Sequence, residues 1–194
     1  MKVVVASVSL LCSPLIAWGQ SMGNPAGMVA DTPGVNVARP APDHRNAQDQ
    51  LFIRQFALGN RAEVELGKVA QKKAATPGVR EFAQNMVSEH EKSGQELLRL
   101  NRSPAAEVPK ELDPEHRHVA EELSSKSGAQ FDADYLTAQV QDHQRAAGLL
   151  MWEISNGQND ALKRYATAQL PAVLAHLEKA RDSLAQLANV PPGR

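Results

Sequence analysis

Cysteine is all but missing. The 194-residue chain has one, Cys12, inside an N-terminal apolar run. If that run is removed, the mature protein has no disulfide, no thiolate nucleophile and no thiolate metal ligand. Aromatic residues are scarce at 4%, and Ala, Leu, Gln and Glu are plentiful, a composition that favours helices over sheets. No alternating strand pattern is present, which argues against a membrane β-barrel. Beyond the N-terminus no apolar segment is long enough to span a bilayer. Charge of one sign is lacking too: 21 basic side chains face 22 acidic ones, or 20 against 22 without Lys2. With no basic run, nucleic acid is not an expected partner. No G-x-S-x-G stretch occurs, so neither a serine nor a cysteine nucleophile is supported and the chain is not expected to be an enzyme.

The start of the chain reads as an export signal over residues 1–19. Lys2 supplies the positive end, Val3 to Leu11 the apolar run, Pro14 its end, and Ala17-Trp18-Gly19 the small residues before a cut ahead of Gln20. An uncleaved anchor would need a longer apolar stretch. A lipoprotein cysteine at Cys12 would need a small residue where Leu11 stands. The expected location is therefore the periplasm or cell envelope. Residues 20–47, rich in Gly, Pro, Ala and Asn, read as a flexible linker, either a tether or a leader without function. The domain is expected over residues 48–188, with a disordered tail at 189–194.

Within the domain, period-3.6 apolar stripes predict four long helices and a short one. Helix A covers about Asp49 to Ala75, with Leu51, Phe52, Phe56, Gly59, Glu63, Leu66 and Ala70 on one face and Leu58, Ala62, Glu65 and Val69 beside it. Pro77 opens helix B, whose stripe is Val79, Phe82, Ala83, Met86, Val87, His90, Leu97 and Leu98. The prolines between Ser103 and Pro114 break the pattern. A short crossover helix follows to Lys126, and Ser127-Gly128 stops it. Helix C runs from Ala129 to Ser155, and Asn156-Gly157-Gln158-Asn159 forms a turn whose glycine suits the left-handed conformation. Helix D, capped by Asn159 or Asp160, carries Leu162, Tyr165, Val173, His176, Leu177 and Leu184, with Pro171 expected to kink it. The connections within A–B and C–D are so short that each pair must be an antiparallel hairpin. The core is expected from Phe52, Phe56, Leu66, Phe82, Met86, Tyr135, Val140, Leu150, Tyr165, Val173 and Leu184. A faint repeat lays Val79–Ala83 over Leu162–Ala166, and Phe56-Ala57 over Tyr135-Leu136.

Each of three helices places a histidine on its inner face one turn after a valine: Val87 before His90, Val140 before His143, Val173 before His176. Helix A offers Glu63, with Glu65 as the substitute carboxylate. Measured from their turns, Glu63 and His90 fall within roughly 2 Å of one height, and His143 and His176 within roughly 4–5 Å. Three imidazoles and a carboxylate at one level would suit Zn²⁺, Cu²⁺ or iron. A carboxylate-bridged di-iron centre would instead need a Glu-x-x-His on two helices, and here valine holds that place. Glu89 and Asp142, about 100° around the helix from the histidine stripe, should face solvent or a neighbouring helix. The same histidines would also serve as a purely structural polar layer donating to carbonyls or carboxylates, or as an acid–base site. His116 and His118, two residues apart, lie on different faces and do not form a metal pair.

The run from Phe56-Ala57 through Glu63-Val64-Glu65-Leu66-Gly67-Lys68-Val69-Ala70 and Val79-Arg80-Glu81-Phe82-Ala83-Gln84-Asn85-Met86-Val87 to His90 resembles the bacterial domain-of-unknown-function 4142 family. The likeness continues at Ser127-Gly128-Ala129-Gln130-Phe131-Asp132-Ala133-Asp134-Tyr135-Leu136, His143, Leu170-Pro171 and His176. The resemblance implies an exported, ferritin-like antiparallel four-helix bundle of two hairpins joined by a crossover helix, in a family that often carries an outer-membrane label and no established activity. Its recurrent histidines correspond to His90, His143 and His176. Two functions stand side by side: a metal-binding protein with Glu63, Glu65, His90, His143 and His176 as its candidate ligands, and a non-enzymatic envelope binding or stress-related module, a monomer or weak oligomer that meets an envelope partner through its surface.

Overall fold

A computed structural model describes residues 45–101, 108 and 110–189. The stretches expected to form an export signal and most of a linker, and residues 190–194, lie outside the described residues. The described chain is all-α, with five helices and no strand among those residues: α1 (Ala47–Lys73), α2 (Pro77–Leu100), α3 (Pro114–Ser125), α4 (Gly128–Asn156) and α5 (Asp160–Ala188). α1 pairs with α2 and α4 with α5, and the two hairpins meet through α1 against α4 and α2 against α5. The short α3 lies across α1 and α4.

Local chemistry explains the helix starts. Asn46 and Asp49 form a reciprocal capping box on α1, satisfying amides that the first helical turn leaves open. Thr76 caps α2, Asp113 caps α3 and Asn159 caps α5 with side-chain oxygens, and Pro77 and Pro114 occupy first-turn positions where a missing N–H costs nothing. α5 runs through Pro171 as one helix.

The core forms two clusters, one above and one below a polar middle layer. Phe52, Phe56, Leu97, Leu150, Leu162, Tyr165 and Val173 fill one. Leu66, Phe82, Met86, Leu123, Phe131, Tyr135 and Leu136 fill the other. Two residues expected in the core, Val140 and Leu184, are only partly buried at its edge. Leu98, expected on the inner stripe of α2, is half exposed. Its neighbour Leu97, about 100° around the helix from it, takes the inner place and is fully buried.

The hairpins close each other's turns. Asp132, at the start of α4, accepts hydrogen bonds from the amides of Ala75 and Thr76 in the α1–α2 turn, at 2.9 and 2.8 Å. Asp49, at the start of α1, accepts from Gln158 and Asn159 in the α4–α5 turn, at 3.1 and 3.2 Å. One constant shift along the chain carries Asp49 to Asp132, Ala75 to Gln158 and Thr76 to Asn159. The same shift lays Val79–Ala83 over Leu162–Ala166, as the sequence repeat does, but it places Phe52 rather than Phe56 over Tyr135. The reciprocal carboxylates set the register of the first helices, which apolar spacing alone leaves free to slide by a turn.

Gly157 differs from expectation. Its φ is −59°, outside the left-handed region. A Cβ there would lie 2.7 Å from the carbonyl oxygen of Glu153 and closer still to its carboxyl group, so the turn needs glycine for space. The positive φ belongs to Gly128, at 64°.

Candidate metal centre

The middle layer is built from His90 on α2, His143 on α4 and His176 on α5. Ring centroids lie 5.4 Å apart for His90–His143, 5.6 Å for His90–His176 and 5.3 Å for His143–His176. Whatever height difference the turn count gives His143 and His176, their rings meet. One nitrogen of each ring lies within 4.8 Å of one nitrogen of both others. His143 and His90 are buried, and the His176 side chain is 14% exposed.

Each ring is tethered through one nitrogen. Nδ1 of His90 donates to Asn60 Oδ1 at 2.9 Å. Nδ1 of His143 donates to the backbone carbonyl of Gln139, one turn earlier, at 2.9 Å. Nε2 of His176 meets Glu89 Oε2 at 3.0 Å. Glu89 thus reaches the neighbouring helix, as its angular position suggests. The other nitrogens, Nε2 of His90, Nε2 of His143 and Nδ1 of His176, are buried with no hydrogen-bond partner. Burial, and then the neighbouring imidazoles His143 and His176, hold His90 well below the usual histidine range. His143 is pushed down to about 4, by burial first and with His176 adding to it. Both rings are therefore neutral at pH 7, with a lone pair on the unpartnered nitrogen.

The two candidate carboxylates part company. Glu65 points outward, half exposed, 3.5 Å from Lys68, and is not brought to the cluster. Glu63 is buried, but its Oε2 accepts from Gln139 Nε2 at 2.6 Å and its Oε1 lies 3.7 Å from Nδ1 of His143, the nitrogen already turned toward Gln139. Burial, and then the nearby Asp142 charge, push its carboxyl up to about 8. Glu63 backs one imidazole, and it is Asn60, one turn nearer the start of α1, that meets His90. Neither Asn60 nor Gln139 stands out in the sequence. The signal for Gln139 is its place four residues before His143. The signal for Asn60 is its place on the stripe between Phe56 and Glu63.

The layer is reached through a cavity of about 530 Å³ between α1, α4 and the start of α3, lined in part by Asn60, Glu63, His90 and His143. Across its mouth lies an ionic cluster. His116 is 2.5 Å from Asp113 and 3.6 Å from Asp142, and Arg145 pairs with both Asp142 and Glu115. Burial opposes the charge on His116, but the hydrogen bonds and charges of Asp142 and Asp113 outweigh it and raise the ring to about 9. His118 is exposed and faces Glu122, so His116 and His118 do part to different surroundings. A smaller cavity of about 320 Å³ borders His90 and His176 on the α2–α5 side. No described helix is long and apolar enough to cross a membrane.

Two solved structures share the fold. A DUF305 fragment from Deinococcus radiodurans superposes with a TM-score of 0.65 at 13% identity, covering 73% of this chain and 98% of its own. A protein from Streptomyces coelicolor, described as "putative secreted protein DUF305", superposes at 0.63 and 16% identity, covering 79% and 99%. No curated protein matches the chain in sequence. The family described as a domain of unknown function, DUF4142, matches residues 35–182, and the chain belongs to that family.

Proposed function

We propose that this is an exported metal-binding protein in which His90, His143 and His176 hold one transition-metal ion. The observation that carries the reading is the split use of the three rings. One nitrogen of each is tied to an oxygen, the other is buried and unpartnered, and the three rings sit so close that one nitrogen of each lies within 4.8 Å of one nitrogen of both others. A structural polar layer has no use for this arrangement. An unsatisfied buried polar atom costs about 1–3 kcal/mol, and here there are three such ring nitrogens. A metal ion converts those lone pairs into bonds. The tethers to Asn60, Gln139 and Glu89 have the form that orients ligating imidazoles.

An all-imidazole donor set suits Zn²⁺, Cu²⁺ or iron. Tetrahedral bonds of about 2.0–2.1 Å put ligand nitrogens roughly 3.4 Å apart, so binding draws the rings inward by no more than about 1 Å. Glu63, turned toward Gln139 and His143, acts as a buried backing carboxyl, and Glu65 takes no part. Export is supported by the N-terminal pattern from Lys2 to Gly19 and by the Streptomyces neighbour, which is described as secreted.

The test is the metal content of the untagged protein purified from the periplasm without chelator, beside the triple variant His90→Ala, His143→Ala, His176→Ala. Near-stoichiometric metal in the parent and none in the variant is expected, with an N-terminus at Gln20. No metal in the parent, even after Zn²⁺, Cu²⁺ and Fe²⁺ are added back, would return the histidines to a structural role and direct attention to the surface.

A further inference from the structure

Resting on that reading, we infer that the metal site is open: it keeps a coordination position for a small exogenous ligand, water or a small anion, that enters through the cavity beneath α3. Three features converge on this. First, the ligand-forming group among the described residues holds three donors, all histidines. The one buried carboxyl close to it, Glu63, is turned toward Gln139 and the tethered nitrogen of His143. A closed structural site has four protein ligands, whereas three leave a position for solvent or substrate. Second, open space adjoins two of the three ligands. Of the cavity's walls, His90 and His143 are ligands and Asn60 and Glu63 back them. About 530 Å³ is far more than one water needs. Third, Glu63, whose Oε1 has no hydrogen-bond partner, is among the residues lining the same cavity. A ligand on the metal would meet a polar group there as well as apolar wall.

The structure also supplies a way to close the cavity without touching the ligands. Gly59 lines it, and a Cβ built there meets nothing within 4 Å. Gly59→Phe therefore projects a ring into the space. Ala146→Met does so from α4, where Ala146 lines the same cavity.

The experiment loads the full mature protein with Cu²⁺, confirms stoichiometry by mass spectrometry, and titrates azide while following the ligand-to-metal absorption band and the electron paramagnetic resonance spectrum. In the parent, azide is expected to add a saturable band and shift the resonance. In Gly59→Phe and Ala146→Met, Cu²⁺ should bind as in the parent while azide affinity falls at least tenfold. If the parent binds Cu²⁺ but azide changes neither spectrum, the site is closed and the inference fails while the metal reading stands. If azide binds the two variants as it binds the parent, the ligand reaches the metal by another route and the assignment of this cavity is wrong. If no metal binds, both readings fall together. If one variant does not fold, the other decides.

Discussion

Nδ1 of His90 lies 2.9 Å from Oδ1 of Asn60, and this contact decides which face of the ring is chemically available. An amide oxygen only accepts, so the ring proton sits on Nδ1 and the lone pair of His90 is left on Nε2. Asn60 is thereby a positioning residue for the proposed metal site.

Replacing it should show this. Asn60→Ala is expected to weaken metal affinity about 10–100-fold, while Asn60→Asp, which keeps an acceptor at the same place, should restore most of it. Competition with a chromophoric chelator reads the affinity, and far-ultraviolet circular dichroism checks that helicity is kept. Equal affinity in parent and Asn60→Ala would make the contact structural only.

Glu153 gives a pH dependence of known sign. It is fully buried beside Asp49, and burial, followed by the Asp49 carboxylate, pushes its carboxyl up to about 8. A carboxyl raised from 4.5 in the unfolded chain binds more protons when folded, so stability falls as pH rises from about 4.5 to about 8. Glu153→Gln removes that loss. The variant should melt above the parent at pH 8, by about 2–4 kcal/mol in stability, with the gap closing toward pH 5. Thermal melts at the two pH values decide it, and a gap that does not change with pH would refute it.

His116 gives a dependence of the same sign, through a charged rather than a neutral protonated form. Its imidazole is raised from 6.5 to about 9 by Asp142 and Asp113 against the pull of burial. Its charged form therefore adds stability that is fully present below about pH 6.5 and lost as pH rises through about 9. His116→Ala should cost about 1–2 kcal/mol at pH 6 and much less at pH 10. Denaturant titrations at both pH values measure the difference.

Gly157→Ala should destabilise by about 1–3 kcal/mol, because its Cβ would sit 2.7 Å from a backbone carbonyl oxygen. Gly59→Ala, inside α1 with open space for its Cβ, should instead stabilise by about 0.5–1 kcal/mol. Parallel melting curves compare the pair, and equal midpoints would count against the spatial argument.

These residues mark what the sequence makes legible. Apolar period, prolines at helix starts and short turns lead to two hairpins and a crossover helix because those signals are local. The inward facing of His90, His143 and His176 is legible for the same reason: each follows a valine by one turn on a stripe. The partner on α1 is not. Glu63 and Asn60 lie on one stripe, and choosing between them needs the axial register of α1 against α2 and α4. That register is set by Asp49 and Asp132 reaching turns distant in sequence, which no local pattern reveals. Gly157 is legible as a turn glycine, but whether it serves conformation or space depends on how Glu153 is packed.

The exchange of carboxylates between hairpins has a bearing on how the molecule comes together. Neither hairpin can complete its own turn. The amides of Ala75 and Thr76 wait for α4, and those of Gln158 and Asn159 wait for α1. Each half is a template for the other, so a chain severed between α2 and α3 should yield two pieces that are poorly ordered apart and recover the bundle when mixed. The proposed metal ligands are divided by the same cut, His90 on one piece and His143 and His176 on the other, so a bound ion would act as a fastener across the join.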